Sequence, residues 1–310
     1  MSETVLFFAF NAGVLAVLAI DLGVFHKKAH IVTVKEAAVW SSIWITLSLA
    51  FAGVIYWTRG TQPALEFVTG YLIEYSLSID NIFVIVLIFS YFRIPDKYQH
   101  RVLFWGIIGA LLMRGAMIAA GAYLIERFHW IIYVFGAFLV FTGIRMAMHD
   151  ESDIEPEANP VLKLVRRLIP VTHDYRGQSF FVREAPKRGE PLTLMATPLF
   201  VVLVLVETTD LIFAVDSIPA IFAVTSDPFL VYTSNVCAIL GLRSLYFLLA
   251  GVIHKFHYLK LGLAVVLTFV GVKMLLGRFY EISIQVSLLV IAAVLTLAVL
   301  ASVLFPKKGG

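Results

Sequence analysis

Charge is scarce in this chain. Asp, Glu, Lys and Arg make up 15% of its 310 residues, where soluble domains carry about a quarter. Sixty per cent of the residues are hydrophobic and the mean hydropathy is +0.90. A water-soluble globular domain is excluded and a membrane protein is indicated. Cysteine is scarcer still. The single Cys237 lies inside an apolar run, which rules out an intramolecular disulfide framework and a cysteine-based metal site. Catalytic signatures are missing too: there is no HExxH, no Gly-rich phosphate loop, no GxSxG and no mid-span histidine to act as a base. The chain is therefore expected not to be an enzyme. All eight histidines fall at span ends or in loops, as ordinary interfacial residues do. The net charge of +3 resides in loops facing one side of the membrane, and no nucleic-acid partner is implied.

What is there is a series of apolar runs. A hydrocarbon core of about 30 Å needs about 20 helical residues, and nine stretches qualify, near 4–24, 39–57, 66–91, 103–125, 130–148, 195–223, 232–253, 260–277 and 283–305. The N-terminal run carries Glu3 and no preceding Lys or Arg, so it reads as a first span with its start outside rather than a cleavable signal. With that orientation, connections placed inside hold eighteen of the 24 Lys and Arg, those outside hold four, and Arg114 and Arg243 sit mid-span. The expected fold is all-α: a polytopic membrane protein of about nine transmembrane helices in a bacterial inner membrane, its N-terminus periplasmic and its C-terminus cytoplasmic. Trp57, Trp130 and Tyr133 fit an aromatic belt.

Two of the spans resemble each other. "EYSLSIDN" places Glu74 six residues before Asp80, with Asn81 next; "DLIFAVDS" places Asp210 six before Asp216, with Ser217 next. Each is followed by a span with a central arginine, then by one carrying "FTGIRM" or "FVGVKM". Spans three to five and six to eight thus form a repeat of three-helix units, and an odd number of spans per unit inverts one relative to the other. Inverted repeats commonly set a transport site near the bilayer midplane. The chain divides into a two-helix unit 1–57, a first repeat 58–148, a cytoplasmic linker 149–192, a second repeat 193–278 and a C-terminal helix and tail 279–310. Within the linker, "VLKLVRRLI" can lie as a short helix among lipid headgroups, although a solvated linker is the simpler reading.

An ionised carboxylate at mid-bilayer costs about 2.5–3.5 kcal/mol even on lenient scales, so Glu74, Asp80, Glu207, Asp210 and Asp216 need partners. Arg114 and Arg243 can neutralise two, one per half. Purely structural ion pairs would not leave three acids over; these call for protons or a cation. Pro219 lacks an N–H and clashes with the Val215 carbonyl, so a helix break there is expected to free backbone oxygens beside Asp216. Together with Asn81, Ser217, Ser78 and Thr209, the acids make an all-oxygen set, which suits a hard divalent ion such as Mn²⁺, Mg²⁺ or Ca²⁺. Asp21, near the inner end of span one, is either an entry-path residue or an acid snorkelling to the interface.

"GYLIEYSLSIDNIFV" and "VETTDLIFAVDSIPAIFAVTSDPF", with the following "TSN" and "AILGLRSLYFLLAG", resemble the TerC family of bacterial integral membrane proteins, its Alx-type members above all, and the similarity runs over nearly the whole chain. The family sits among the LysE-like transporters. The resemblance implies export of Mn²⁺ from the cytoplasm, with Glu74, Asp80, Asn81, Glu207, Asp210, Asp216 and Ser217 as the conduction site. The older tellurium label finds no support, since an oxyanion would be repelled by this acidic core. The expected partners are Mn²⁺ as the transported ion, the lipid bilayer and protons for exchange, with no tightly bound cofactor. A rival reading is a membrane scaffold that binds protein partners and helps to metallate secreted proteins, using 149–192 as its docking element.

Overall fold

A computed structural model describes residues 3–20, 32–148, 160–185, 191–251, 258–277, 279–280 and 282–305. The elements run α1 (Glu3–Ile20), α2 (Val34–Arg59), α3 (Thr61–Tyr91), α4 (Asp96–Arg127), α5 (Ile131–Met148), α6 (Pro160–Leu168), β1 (Phe181–Glu184), β2 (Thr193–Ala196), α7 (Pro198–Phe222), α8 (Pro228–Leu249), α9 (Leu259–Leu276) and α10 (Ile284–Leu304). Among the described residues, eight helices are long and apolar enough to cross a bilayer: α2 to α5 and α7 to α10. The remaining expected span, α1, is apolar over the shorter stretch Val5–Ala19. Large apolar side chains such as Leu47, Leu112 and Leu289 are exposed on the outside of the bundle, where lipid rather than water satisfies them.

Helix ends follow local chemistry. Gly60, at φ +91°, makes the one-residue corner between α2 and α3, a conformation that a Cβ would strain. Asp227 caps α8 by accepting from the Phe229 N–H at 2.9 Å, and Pro228 occupies the first helical position, where no N–H is missed. The other oxygen of Asp227 binds Arg59 at 2.7 Å, which ties the α2–α3 corner to the α7–α8 corner. At the opposite end, the Tyr175 hydroxyl donates to the Phe92 carbonyl at 2.7 Å, which ties the α3–α4 corner to the segment leading into α7. The start of α3 therefore lies with the end of α7, and the two helices run in opposite directions.

Packing between the halves has the same symmetry. α3 and α4 each pack on both α7 and α8, α5 packs on α9, α3 touches α9 and α5 touches α7. Exchanging α3 with α7, α4 with α8 and α5 with α9 maps this set of pairs onto itself. The α5–α9 seam is the tightest. A Cβ added at Gly271 would lie 2.7 Å from the Gly136 carbonyl and 2.8 Å from the Val140 nitrogen, so glycine is what permits this backbone approach. α2 covers α3 and α8, and α10 covers α9 and α3.

Two expectations are corrected here. α7 runs unbroken through Pro219 and ends three residues later, and α3 is likewise continuous through Asp80. So near a helix end, the lost proline hydrogen bond is tolerated without a break. The segment between the halves is also more than a solvated linker. Over 160–185 and 191–196 it forms α6 and an antiparallel hairpin, with Phe181 opposite Ala196 and Glu184 opposite Thr193. Leu162 of α6 is buried in the same cluster as Ile85, Leu199 and Leu205, and the Arg101 guanidinium lies 5.1 Å over the Phe180 ring. This end of the bundle is called the linker end below.

Candidate functional site

Arg114 of α4 is the hub of the interior. It is 2% exposed, and its Nε and Nη2 donate to the two oxygens of Asp210 on α7 at 3.1 and 2.8 Å. Its Nη1 donates to Glu74 Oε1 on α3 and, at 3.3 Å, to Ser217 Oγ on α7. Glu74 is completely buried, and its Oε2 has no hydrogen-bond partner. A bidentate guanidinium–carboxylate pair with a second acid on the remaining nitrogen is the arrangement that makes buried charge affordable. Glu74 and Asp210 both pair with Arg114, so this one arginine holds an acid from each half.

Beside this hub is a small cavity of about 10 Å³, the space of one water or bare ion. Asp80 and Asn81 of α3 and Asp216 and Ser217 of α7 supply its polar lining; Leu77, Met146 and Phe213 close it. The Thr142 hydroxyl on α5 donates to Asp216 Oδ1 at 3.1 Å. Asn81 is buried and its Oδ1 accepts no hydrogen bond. Ser217 belongs to both groups, touching Arg114 while lining the cavity, so the two are contiguous.

Not every expected residue joins them. Glu207 lies farther toward the linker end on α7, with its carboxylate lodged against α4 at Gly109, where a Cβ would collide with it, and its Oε2 meets no partner. Thr209 turns its hydroxyl back onto the Leu205 carbonyl at 2.8 Å. Ser78 is buried in α3 but is not part of the cavity lining. Arg243 is half-buried on α8, and Asp21 lies outside the described residues. Among the described residues, no three acids, histidines or cysteines gather closely enough to hold a metal by themselves. Helix geometry explains the division. Acids six residues apart on an unbroken helix are about 120° apart around it and about 9 Å along it. Glu74 and Asp210 therefore turn to Arg114, and Asp80 and Asp216 to the cavity.

Two carboxylates, an amide oxygen and a hydroxyl make an all-oxygen lining of the kind hard cations prefer. Sequence reasoning missed Thr142 and Gly109. Thr142 was visible in "FTGIRM": its counterpart in "FVGVKM" is Val270, which has no proton to donate, so the repeat is broken where one aspartate is oriented.

Residues 59–309 match the family described as integral membrane protein TerC. The chain belongs to the TerC family. Among its relatives, an uncharacterized membrane protein of Myxococcus xanthus, STKORF319, is 53% identical over 95% of this chain and 91% of its own length. The putative membrane-bound redox modulator Alx of Escherichia coli K12 is 50% identical over 93% of this chain and 91% of its own. An uncharacterized membrane protein of Rickettsia bellii is 42% identical over 94% of each. No solved structure matches significantly. This TerC protein is thus a multi-pass integral membrane protein whose spans are all helices.

Proposed function

We propose that this TerC protein carries a hard divalent cation, with Mn²⁺ as its cargo, out of the cytoplasm across the bacterial inner membrane. The single observation that supports the reading is the enclosed cavity between antiparallel α3 and α7, where Asp80 and Asp216 come from equivalent positions of the two halves with Asn81 and Ser217 beside them. Two carboxylates balance one divalent charge, a balance that lipid and packed side chains cannot supply. Protons taking over these carboxylates after metal release would give exchange, and Glu207 is a third acid available to the same traffic. Excess Lys and Arg on the linker side supports a cytoplasmic linker and a periplasmic N-terminus. The name redox modulator, carried by several relatives, has no dithiol to draw on here, because Cys237 is single and buried.

The test is Mn²⁺ flux in proteoliposomes holding wild type, Asp80→Asn or Asp216→Asn, with and without an imposed pH gradient. Flux in wild type, lost in both variants, is the expected result. Equal flux in all three removes the transport reading; flux indifferent to the gradient removes only the proton exchange. A second reading, the scaffold that metallates secreted proteins, is supported by the ordered α6 and hairpin docked at one end. It predicts that wild type moves no metal yet changes the metal content of secreted proteins.

A further inference from the structure

Asn235 of α8 is fully buried, and neither its amide nitrogen nor its amide oxygen has a hydrogen-bond partner. Native interiors rarely leave both ends of an amide unsatisfied, since each end forfeits its hydration. α8 is the most enclosed of the spans, and an asparagine serves no packing purpose there that leucine would not serve better. The orphaned amide therefore asks for a ligand.

Its place in the bundle says which. α3 and α8 run parallel from the Arg59 end, and a Cβ on Gly70 would lie 2.9 Å from Ser234 Oγ. Asn235, next to Ser234, therefore lies on α8 at a level between those of Gly70 and Glu74 on α3, and Glu74 Oε2 is also without a hydrogen-bond partner. On its other side, Val231 clusters with Ile118 of α4 and Ala214 and Ile218 of α7. Ile118 lies one turn beyond Arg114, and α4 runs against α8, so Asn235, one turn beyond Val231, comes to the level of Arg114. Asn81 is two turns farther along α3 in the linker direction. Asn235 and the free oxygen of Glu74 thus lie near the level of Arg114, beside Ser217 and two turns from Asp80 and Asn81 along α3.

We infer that Asn235 and Glu74 Oε2 form a second polar station, which takes a divalent cation at the level of Arg114. This rests on the transport reading above and extends it by naming the exit residues. The Asn235 oxygen and the carboxylate oxygen face the cation or its waters, while Nδ2 donates to the carboxylate or to water.

The experiment uses full-length protein and Mn²⁺ alone. Asn235→Leu and Asn235→Asp are compared with wild type for Mn²⁺ flux in proteoliposomes, equilibrium Mn²⁺ binding by electron paramagnetic resonance in detergent, and Tm. Asn235→Leu is expected to cut flux at least tenfold, to leave the affinity of the Asp80–Asp216 cavity within about threefold and to lower Tm, because Glu74 Oε2 loses its bridged partner. Asn235→Asp is expected to retain flux. Wild-type flux in Asn235→Leu, or a Tm equal to or above wild type, overturns the station. If Asn235→Leu does not fold, Asn235→Thr is read by the same three measurements. Should wild type itself move no Mn²⁺, the transport reading fails, and the Tm of Asn235→Leu still decides whether the amide holds a ligand.

Discussion

Glu74 and Asp210, equivalent positions in the two halves of an inverted repeat, are held by one guanidinium, that of Arg114. Equivalent acids from the two halves thus converge on one arginine. The tie joins α3, α4 and α7 beside the cavity that Asp80 and Asp216 line.

Removing the guanidinium strands two buried carboxylates. Arg114→Leu should destabilise the protein by about 3–5 kcal/mol, seen as a lowered Tm or denaturant midpoint in detergent. Adding Glu74→Gln and Asp210→Asn to it should recover much of that loss. A single variant as stable as wild type contradicts the hub.

Backbone contacts in the α5–α9 seam cannot give way as side chains can. Gly271→Ala puts a methyl 2.7 Å from the Gly136 carbonyl and should cost about 1–3 kcal/mol. Gly53→Ala, in α2 with nothing within 4 Å of the new methyl, should be neutral or stabilising by about 0.5–1 kcal/mol. Similar Tm values for the two variants would mean that the seam is looser than described.

Thr142 orients Asp216 by donating to Oδ1. Thr142→Val keeps the shape and removes the proton; loss of such a supporting hydrogen bond typically weakens metal binding about 10–100-fold. Val270→Thr, at the equivalent position of the other half, should leave affinity unchanged. A Mn²⁺ titration by electron paramagnetic resonance separates them.

Gly109 leaves room for the Glu207 carboxylate. The collision in Gly109→Ala is with the far end of a flexible side chain, so stability should stay within about 1 kcal/mol while Glu207 is displaced. Its response of flux to a pH gradient should then match that of Glu207→Gln. Wild-type behaviour in Gly109→Ala beside a defect in Glu207→Gln would show that the lodging is irrelevant.

At the linker end, Arg176 donates to both oxygens of Glu184, at 2.5 and 3.0 Å, and holds that carboxyl below the usual glutamate range. A lowered folded-state value means that the tie contributes above the unfolded value of about 4.3 and is lost as pH falls through the lowered one. Proteolysis within the hairpin should therefore rise on acidification in wild type and be insensitive to pH in Glu184→Gln. As a surface pair it is a small contribution, so the assay must be local.

The spans, the repeat and the five acids were legible because each is written in a contiguous stretch with its own period or spacing. What two helices do to each other was not. Whether Glu74 meets a metal or Arg114 depends on how α3, α4 and α7 turn about their axes, which no local pattern records. The break expected at Pro219 failed for a positional reason, since only one turn of α7 follows it. The hairpin escaped notice because four-residue strands carry too little alternation to be read. Asn235 stood inside a recognised motif, yet only burial shows that its amide is unsatisfied.

A guanidinium gripping an acid from each half is also a fulcrum. Any rocking of one half against the other that preserves those bonds has to turn about Arg114, the one side chain that grips both.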